Sequence, residues 1–268
     1  MSEITIFLLY VIAATACGAS RLPRFAAIQK PLFIIAALLI AIGIAIHGKE
    51  LYASILVGTG FNLSLGNVAS LVGLELALIG LIAALEPSLR GISASLLLLG
   101  AVAATATGLD TLPAGIVDIT WQVRVHVLIA VMSYGLLTVG AIVALYAIVQ
   151  ERQLRTRQLS SLNRLFAPLE TTEALLFAIT AAGFAGLSLA IVSGLTFVEN
   201  LFAQHLVHKT AFSILALFVF GALLVGRHFY GWRGTRAIKL YLGGFILLCF
   251  AYFGARLILE QILGRSWS

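Results

Sequence analysis

The sequence predicts an all-α membrane protein, a bundle of about eight transmembrane helices that form a single integral membrane domain. Of its 268 residues, 61% are hydrophobic and only 10% are charged, and the mean hydropathy is +1.07. A soluble fold of this length could not bury so much apolar surface. The breaks between apolar runs place the spans at residues 4–19, 31–47, 63–85, 91–107, 125–149, 174–196, 207–226 and 238–259.

The distribution of lysine and arginine predicts which loops face the cytoplasm. Twelve of the 17 basic residues fall on one side of the predicted bundle. Cytoplasmic loops carry the excess of such residues, so both termini are expected on the periplasmic side of a bacterial inner membrane. The net charge of +6 is spread over short loops facing anionic lipid and indicates no nucleic-acid partner. The twelve are Arg21, Arg24, Lys30, Arg90, Arg152, Arg155, Arg157, Arg164, Arg227, Arg233, Arg236 and Lys239.

The loops between the spans are too short to fold as soluble domains. Residues 48–62 have apolar side chains at near-helical spacing, which predicts a short helix in the outer interface. In residues 150–173 the leucines approximate one face of a helix and the arginines lie on the other face. This pattern predicts a helix on the inner leaflet or a docking surface for a cytoplasmic partner. No phosphate-binding loop, nucleophile elbow or HExxH motif is present, so an enzyme is not predicted. Cys17 and Cys249 are expected to be packing residues.

Histidines collect at the predicted outer face. His47 ends span two, His126 opens span five, and His205 and His208 open span seven, whereas His228 lies on the inner side. His205 and His208 are three residues apart and project to one side of a helix, an arrangement that can also bind zinc or copper.

Three stretches of the second half resemble a known family. GWRGTRA, GGF and AYFGAR near the end of the chain resemble the C-terminal part of the CcsA-type cytochrome c assembly proteins and their HemX-like relatives. Trp121 and the helix that follows it resemble the family segment in which a histidine precedes a glycine- and leucine-rich span. Gly183-Phe184 and Ser193-Gly194 resemble the helix before the haem-handling loop. The resemblance covers residues 109–260, and residues 1–108 form four additional helices without a recognised motif.

The haem-handling loop departs from the family pattern. Family members that ligate cytochromes carry a tryptophan-rich loop that ends in an aspartate and a lysine. The corresponding segment here is FVENLFAQHLVHKTA, which holds no tryptophan and shares only Lys209 and Thr210. The resemblance therefore implies a haem-associated membrane protein more strongly than a cytochrome haem lyase.

The resemblance implies haem as a cofactor and suggests residues that would hold it. Haem iron accepts axial imidazoles from separate helices, which His126 and His208 could supply. Arg124 and Lys209 are candidates to pair with the propionates. Trp121 either contacts the porphyrin or anchors the helix in the interface. The alternative for the histidines is that they only hydrogen-bond to loop carbonyls at the interface.

Glu75 lies near the middle of span three, where an ionised carboxylate costs several kcal/mol. It is expected to face the bundle interior, and Tyr134 lies at a similar predicted depth and could donate a hydrogen bond. A proton relay, a polar floor beneath a cofactor pocket and a protonated side chain that joins helices all remain open.

Three functions agree with these features. The first is a protein that binds or handles haem in cytochrome c assembly. The second is a non-catalytic regulatory or scaffold subunit that has lost haem handling and serves a membrane-protein partner. The third is a transporter of a small solute or ion that uses Glu75, although the two halves show no convincing internal similarity.

Overall fold

The computed structural model describes residues 2–57, 60–62, 64–109, 120–156, 168–197 and 204–251. Within these ranges the chain forms eight α-helices and one two-stranded ribbon with two residues in each strand, so the predicted all-α class is confirmed. The chain divides into two compact units. The first comprises Met1–Ile119 and Val149–Thr172, and the second comprises Thr120–Ile148 and Glu173–Ser268.

The first unit contains four helices, which are α1 (Ser2–Ala19), α2 (Gln29–Ile55), α3 (Leu65–Leu85) and α4 (Arg90–Ala104). Strands β1 (Leu56–Val57) and β2 (Gly60–Phe61) pair antiparallel after α2. Short 3-10 turns at Pro23–Ile28 and Pro87–Leu89 precede α2 and α4, and both begin with proline, which fits a first helical turn. Ser64 caps α3, because its hydroxyl oxygen accepts a hydrogen bond from the backbone N–H of Asn67 at 3.2 Å.

The second unit is built from α5 (Trp121–Thr156), α6 (Leu169–Phe197), α7 (Gln204–Tyr230) and α8 (Gly234–Cys249). The last residues of α5 and the first of α6 belong to the first unit.

Six of the eight predicted spans are confirmed by length and composition within the described ranges. They correspond to Pro23–Ile55, Leu65–Leu85, Pro87–Gly108, Trp121–Leu154, Leu169–Phe197 and Lys209–Tyr230. The first predicted span appears as the shorter apolar stretch Glu3–Ala19. The eighth is described only as far as residue 251. The spanning role of these two helices and the placement of both termini stay predictions.

The predicted interfacial helix at residues 48–62 is wrong, because α2 continues without a break as far as Ile55. The reason is the buried stripe of Ala36, Ile40, Gly43, His47 and Leu51, which repeats every three or four residues and carries the helix past the polar residues 48–50. The predicted inner-leaflet helix also changes. Residues 150–156 extend α5 instead, and residues 157–167 lie outside the described ranges.

Small residues bring the helices of the first unit together. Its core includes alanines from all four helices, and Tyr10 packs its ring where Gly43 has no side chain. An added Cβ at Gly100 would lie 2.9 Å from the Gly73 carbonyl oxygen, so α3 and α4 meet backbone to backbone. Close approach of this kind is typical of helix packing in membranes, where van der Waals contact rather than water exclusion drives association.

Arg90 is almost fully buried in the first unit, although the sequence places it in a loop. Its Nε donates a hydrogen bond to the Ala84 carbonyl at 3.1 Å, and its guanidinium lies 4.2 Å from the centre of the Phe33 ring. Arg90 thus satisfies a carbonyl at the C-terminal end of α3 and joins α2, α3 and α4.

Glycines on α6 set the register between α5 and α6. A side chain at Gly183 would collide with Leu137, and one at Gly186 would collide with Ser133. These pairs run in opposite directions along the two helices, as expected for antiparallel neighbours. Tyr241 of α8 enters the same region beside Gly140 and donates a hydrogen bond to the Leu137 carbonyl at 2.7 Å.

The basic turn between α7 and α8 is a tight reversal. Gly231 and Gly234 both adopt positive φ, at 63° and 57°. Trp232 packs on Gly226, and the Arg236 guanidinium lies 4.0 Å from its ring centre. Glu173 of α6 accepts the Gly234 amide proton at 2.9 Å, which satisfies a free donor at the start of α8.

Candidate functional site

His126 lies in the second turn of α5, at the end that the charge distribution places outside. Its ring is half-buried against α6, and its Nδ1 atom lies 2.9 Å from the Ser193 hydroxyl oxygen. Gly194 makes this approach possible, because a Cβ there would stand only 3.0 Å from the ring carbon Cε1. The ring is therefore held against the backbone of α6 at a defined position.

The register of α5 against α6 explains this position. His126, Ser133 and Leu137 share one face of α5, because steps of seven and four residues return to nearly the same angle on an α-helix. They lie against Gly194, Gly186 and Gly183 in turn. Close packing along the seam thus sets the position of the histidine at the N-terminal end of α5.

Lys209 lies close enough to His126 for an electrostatic interaction between the two side chains. It belongs to the first turns of α7, and its side chain is half-buried. The starts of α5 and α7 and the end of α6 therefore come together at one end of the second unit. His208 precedes Lys209 in α7, but the side chains of His205 and His208 lie outside the described part of the chain.

Trp121 and Arg124 are both exposed, and the Trp121 side chain is 67% accessible. On an ideal helix Trp121 lies about 140° around α5 from His126, and Arg124 about 160° around it. The structure thus brings together His126 and Lys209, whereas Trp121 and Arg124 point away from the face that carries the histidine. Their predicted contact with a porphyrin stays a prediction.

A cavity of about 120 Å³ lies at one end of the first unit. Ends of all four of its helices contribute, namely the start of α1, the end of α2, the start of α3 and the end of α4. Six of the nine lining residues have polar side chains, and Glu3 accepts a hydrogen bond from the Thr107 hydroxyl. The polar lining residues are Glu3, His47, Glu50, Ser54, Ser70 and Thr107.

His47 is one of the residues that line this cavity, and it is only 2% exposed. Its Nδ1 atom lies 3.2 Å from the Tyr10 hydroxyl, and its Nε2 atom lies 2.8 Å from the Ser70 hydroxyl. Both ring nitrogens are therefore engaged by groups that can donate or accept. His47 is accordingly a satisfied core histidine rather than an open ligand in this arrangement.

Glu75 is buried in α3 at 7% exposure, as predicted for a carboxyl group in the middle of a span. Neither carboxylate oxygen has a hydrogen-bond partner within the part of the chain that the structure describes. Tyr134 belongs to the second unit, so the predicted hydrogen bond between these residues stays a prediction.

The described ranges hold no group of three or more histidine, cysteine or acidic side chains arranged for a metal ion. The alternative zinc or copper site at His205 and His208 falls on side chains outside those ranges. A haem iron needs fewer ligands from the protein, since the porphyrin supplies four of them and the chain supplies one or two.

Two partners of the histidines could not be predicted from the sequence. Ser193 stands out in the sequence only as part of a motif, although a serine-glycine pair near the C-terminal end of a helix is the available signal for close approach. Tyr10 carries no signal, because a tyrosine in an apolar span resembles any interior aromatic residue. Both partnerships depend on the register between helices, which the sequence does not state.

Comparison with known proteins adds a family. A sequence model of the family described as Cytochrome C assembly protein matches residues 5–263, including the four N-terminal helices that showed no recognised motif. The Inner membrane protein YpjD of Escherichia coli K12 is 32% identical over 226 residues, which are 82% of this chain and 85% of that protein. An Azospirillum brasilense protein, described as an uncharacterized 28.8 kDa protein in the nifR3-like 5' region, is 30% identical over 53% of each chain. No solved structure matches significantly.

Proposed function

Because the chain belongs to the cytochrome c assembly protein family, we propose that it binds haem or hands it over near the outer face of a bacterial inner membrane. In this proposal the protein crosses the membrane several times with both termini in the periplasm, and it acts in or beside cytochrome c assembly. The observation that carries the proposal is the position of His126, held by α6 at the predicted outer end of the second unit with Lys209 beside it.

The residues around His126 fit a haem group in three respects. The imidazole lies one and a half turns from the start of α5, which leaves it shallow in the membrane. Its ring is fixed through Nδ1, the nitrogen that ligand histidines commonly use for an outer-shell hydrogen bond. Lys209 places a cation within electrostatic range, as a propionate requires.

In this role His126 and His208 would supply the imidazole ligands of the haem iron, and Lys209 would pair with a propionate. Arg124 serves the same purpose only if the haem edge extends around α5, since it lies on the other side of the helix from His126. Haem contributes an iron centre that accepts axial ligands and changes oxidation state. The apolar helix surfaces would shield a bound porphyrin from water.

The proposal is tested by titrating haem into the purified protein in detergent. We expect a saturable Soret band with low-spin features in the unaltered protein. Both His126→Ala and His208→Ala should shift the spectrum toward high spin and weaken retention, because each opens one coordination position. A matched control is His228→Ala, which removes a histidine that stacks edge-on against Phe229 near the inner turn. It should leave the spectrum unchanged.

A regulatory or scaffold subunit is the second candidate, and one sequence observation favours it. The segment that corresponds to the tryptophan-rich loop contains no tryptophan, so it lacks aromatic surface that would hold the porphyrin edge. If excess haem produces no saturable Soret shift, and both histidine variants behave like the unaltered protein, the scaffold function replaces the haem function.

A further inference from the structure

The Ser193 hydroxyl has two short contacts and one proton. Its oxygen lies 3.0 Å from the Ala190 carbonyl oxygen, one turn earlier in α6, and 2.9 Å from His126 Nδ1. A carbonyl can only accept a hydrogen bond, whereas a neutral imidazole nitrogen either donates or accepts according to the tautomer.

Only one placement of protons makes hydrogen bonds of both contacts. If Ser193 donated to Nδ1, its oxygen and the Ala190 oxygen would face each other at 3.0 Å with no proton between them. If Ser193 donates to Ala190 instead, its oxygen accepts the Nδ1 proton and both contacts are favourable. The bond to a carbonyl in the preceding turn is also a common choice for serine in a helix.

Gly194 complements this arrangement at the ring carbon next to Nδ1. Its missing side chain lets Cε1, the carbon between the two ring nitrogens, approach the backbone of α6. Any side chain at this position would push the ring outward and lengthen the bond to Ser193. The two adjacent residues thus fix the ring's position and its proton together.

We propose that Ser193 and Gly194 form a positioning seat that holds the His126 imidazole in the Nδ1-protonated tautomer, with the Nε2 lone pair available as the coordinating atom. Free histidine prefers the opposite tautomer, so the seat changes which nitrogen is ready to bind a metal. Only the coordinating role of Nε2 rests on the proposed haem function. The tautomer itself follows from the contacts within α5 and α6.

The test of the tautomer is nitrogen-15 NMR on the haem-free protein labelled at histidine, at a pH where the ring is neutral. The His126 signals are assigned by their loss in His126→Ala. We expect a protonated Nδ1 and an unprotonated Nε2. Ser193→Ala should shift the tautomer ratio toward protonated Nε2 on the order of fivefold, the value of one neutral hydrogen bond.

Two variants separate this effect from a general disturbance of α6. Ser193→Thr keeps a hydroxyl that can also bond to the preceding turn, so it should retain the original tautomer. Thr196→Ala removes a hydroxyl that bonds to the Val192 and Ser193 carbonyls on an exposed part of α6, away from the ring, and should leave His126 unchanged. A protonated Nε2 in the unaltered protein overturns the proposal, and this result requires no variant to fold. An unchanged tautomer in Ser193→Ala overturns it as well.

Haem titration of the same proteins tests the coordinating atom. Ser193→Ala should weaken haem affinity by roughly tenfold, the smaller end of the effect of losing an outer-shell partner, and Ser193→Thr should restore it. If the tautomer responds but haem affinity does not, Nε2 is not the coordinating atom and that part of the inference is wrong. If the unaltered protein binds no haem, the proposed function fails, while the NMR result still shows whether Ser193 and Gly194 hold the Nδ1-protonated tautomer.

Discussion

Removing the Tyr10 hydroxyl should destabilise the first unit more than removing the Ser70 hydroxyl, although both groups bond to the same histidine. Tyr10 is fully buried and, unlike Ser70, does not line the cavity, so Tyr10→Phe leaves His47 Nδ1 without its hydrogen-bond partner at a buried position. An unsatisfied buried polar atom costs about 1 to 3 kcal/mol. We therefore expect Tyr10→Phe to lower the free energy of unfolding by about 2 kcal/mol.

Ser70 differs because it lines the cavity of about 120 Å³. One water molecule takes up about 30 Å³ in the liquid, so the cavity has room for water to replace the lost hydroxyl beside Nε2. Ser70→Ala should then cost only the net value of one hydrogen bond, about 1 kcal/mol or less.

The stability of each variant is measured by unfolding it in detergent micelles with increasing sodium dodecyl sulfate, and the unfolding is monitored by circular dichroism. Tyr52→Phe is a suitable control, because the Tyr52 side chain is 70% exposed and its change should have little effect. A loss for Ser70→Ala that equals or exceeds the loss for Tyr10→Phe would refute the reasoning, since it would show that the cavity does not supply a substitute partner.

Three further predictions concern buried charge, helix contact and topology. Glu75→Gln should be tolerated, whereas Glu75→Lys should cost about 3 kcal/mol in the same unfolding assay, since only the second brings a charge to mid-membrane depth; equal losses would contradict this. Gly100→Ala should destabilise by about 1 to 3 kcal/mol through overpacking, while Gly243→Ala, with nothing within 4 Å, should not. A cysteine at Thr111 should label from the periplasm and one at Thr156 from the cytoplasm, and reversed labelling would overturn the topology.

The class and most spans of this fold could be predicted from sequence, because apolar runs of about 20 residues are the length that crosses a bilayer and are rarely needed in a soluble core. The ends of helices were harder to predict. Hydropathy predicts too early an end for α2, because Gly48, Lys49 and Glu50 interrupt the apolar run, whereas Leu51 continues the buried stripe. Hydropathy registers the polarity of a residue, and burial depends on which face of the helix it occupies.

In the candidate site, too, the position of a residue along its helix could be predicted, whereas its contacts with other helices could not. The position of His126 at a helix start is a property of the sequence, and so is its proximity to one end of the bundle. Its partner Ser193 is 67 residues away and depends on the packing of α5 against Gly183 and Gly186. Arg90 is the reverse case, because a charge counted as a loop residue is buried against Phe33. Pairing across helices is decided by register, which requires a structure.

The most direct test of the account is the absorption spectrum of the full chain, purified from cells that make haem and recorded oxidised and reduced. Bis-histidine haem predicts a Soret band that shifts on reduction, together with sharp low-spin bands in the visible region. The same preparation of His126→Ala should lose the low-spin bands. An unaltered protein without a Soret band, which also gains none when excess haem is supplied, would contradict the proposed function.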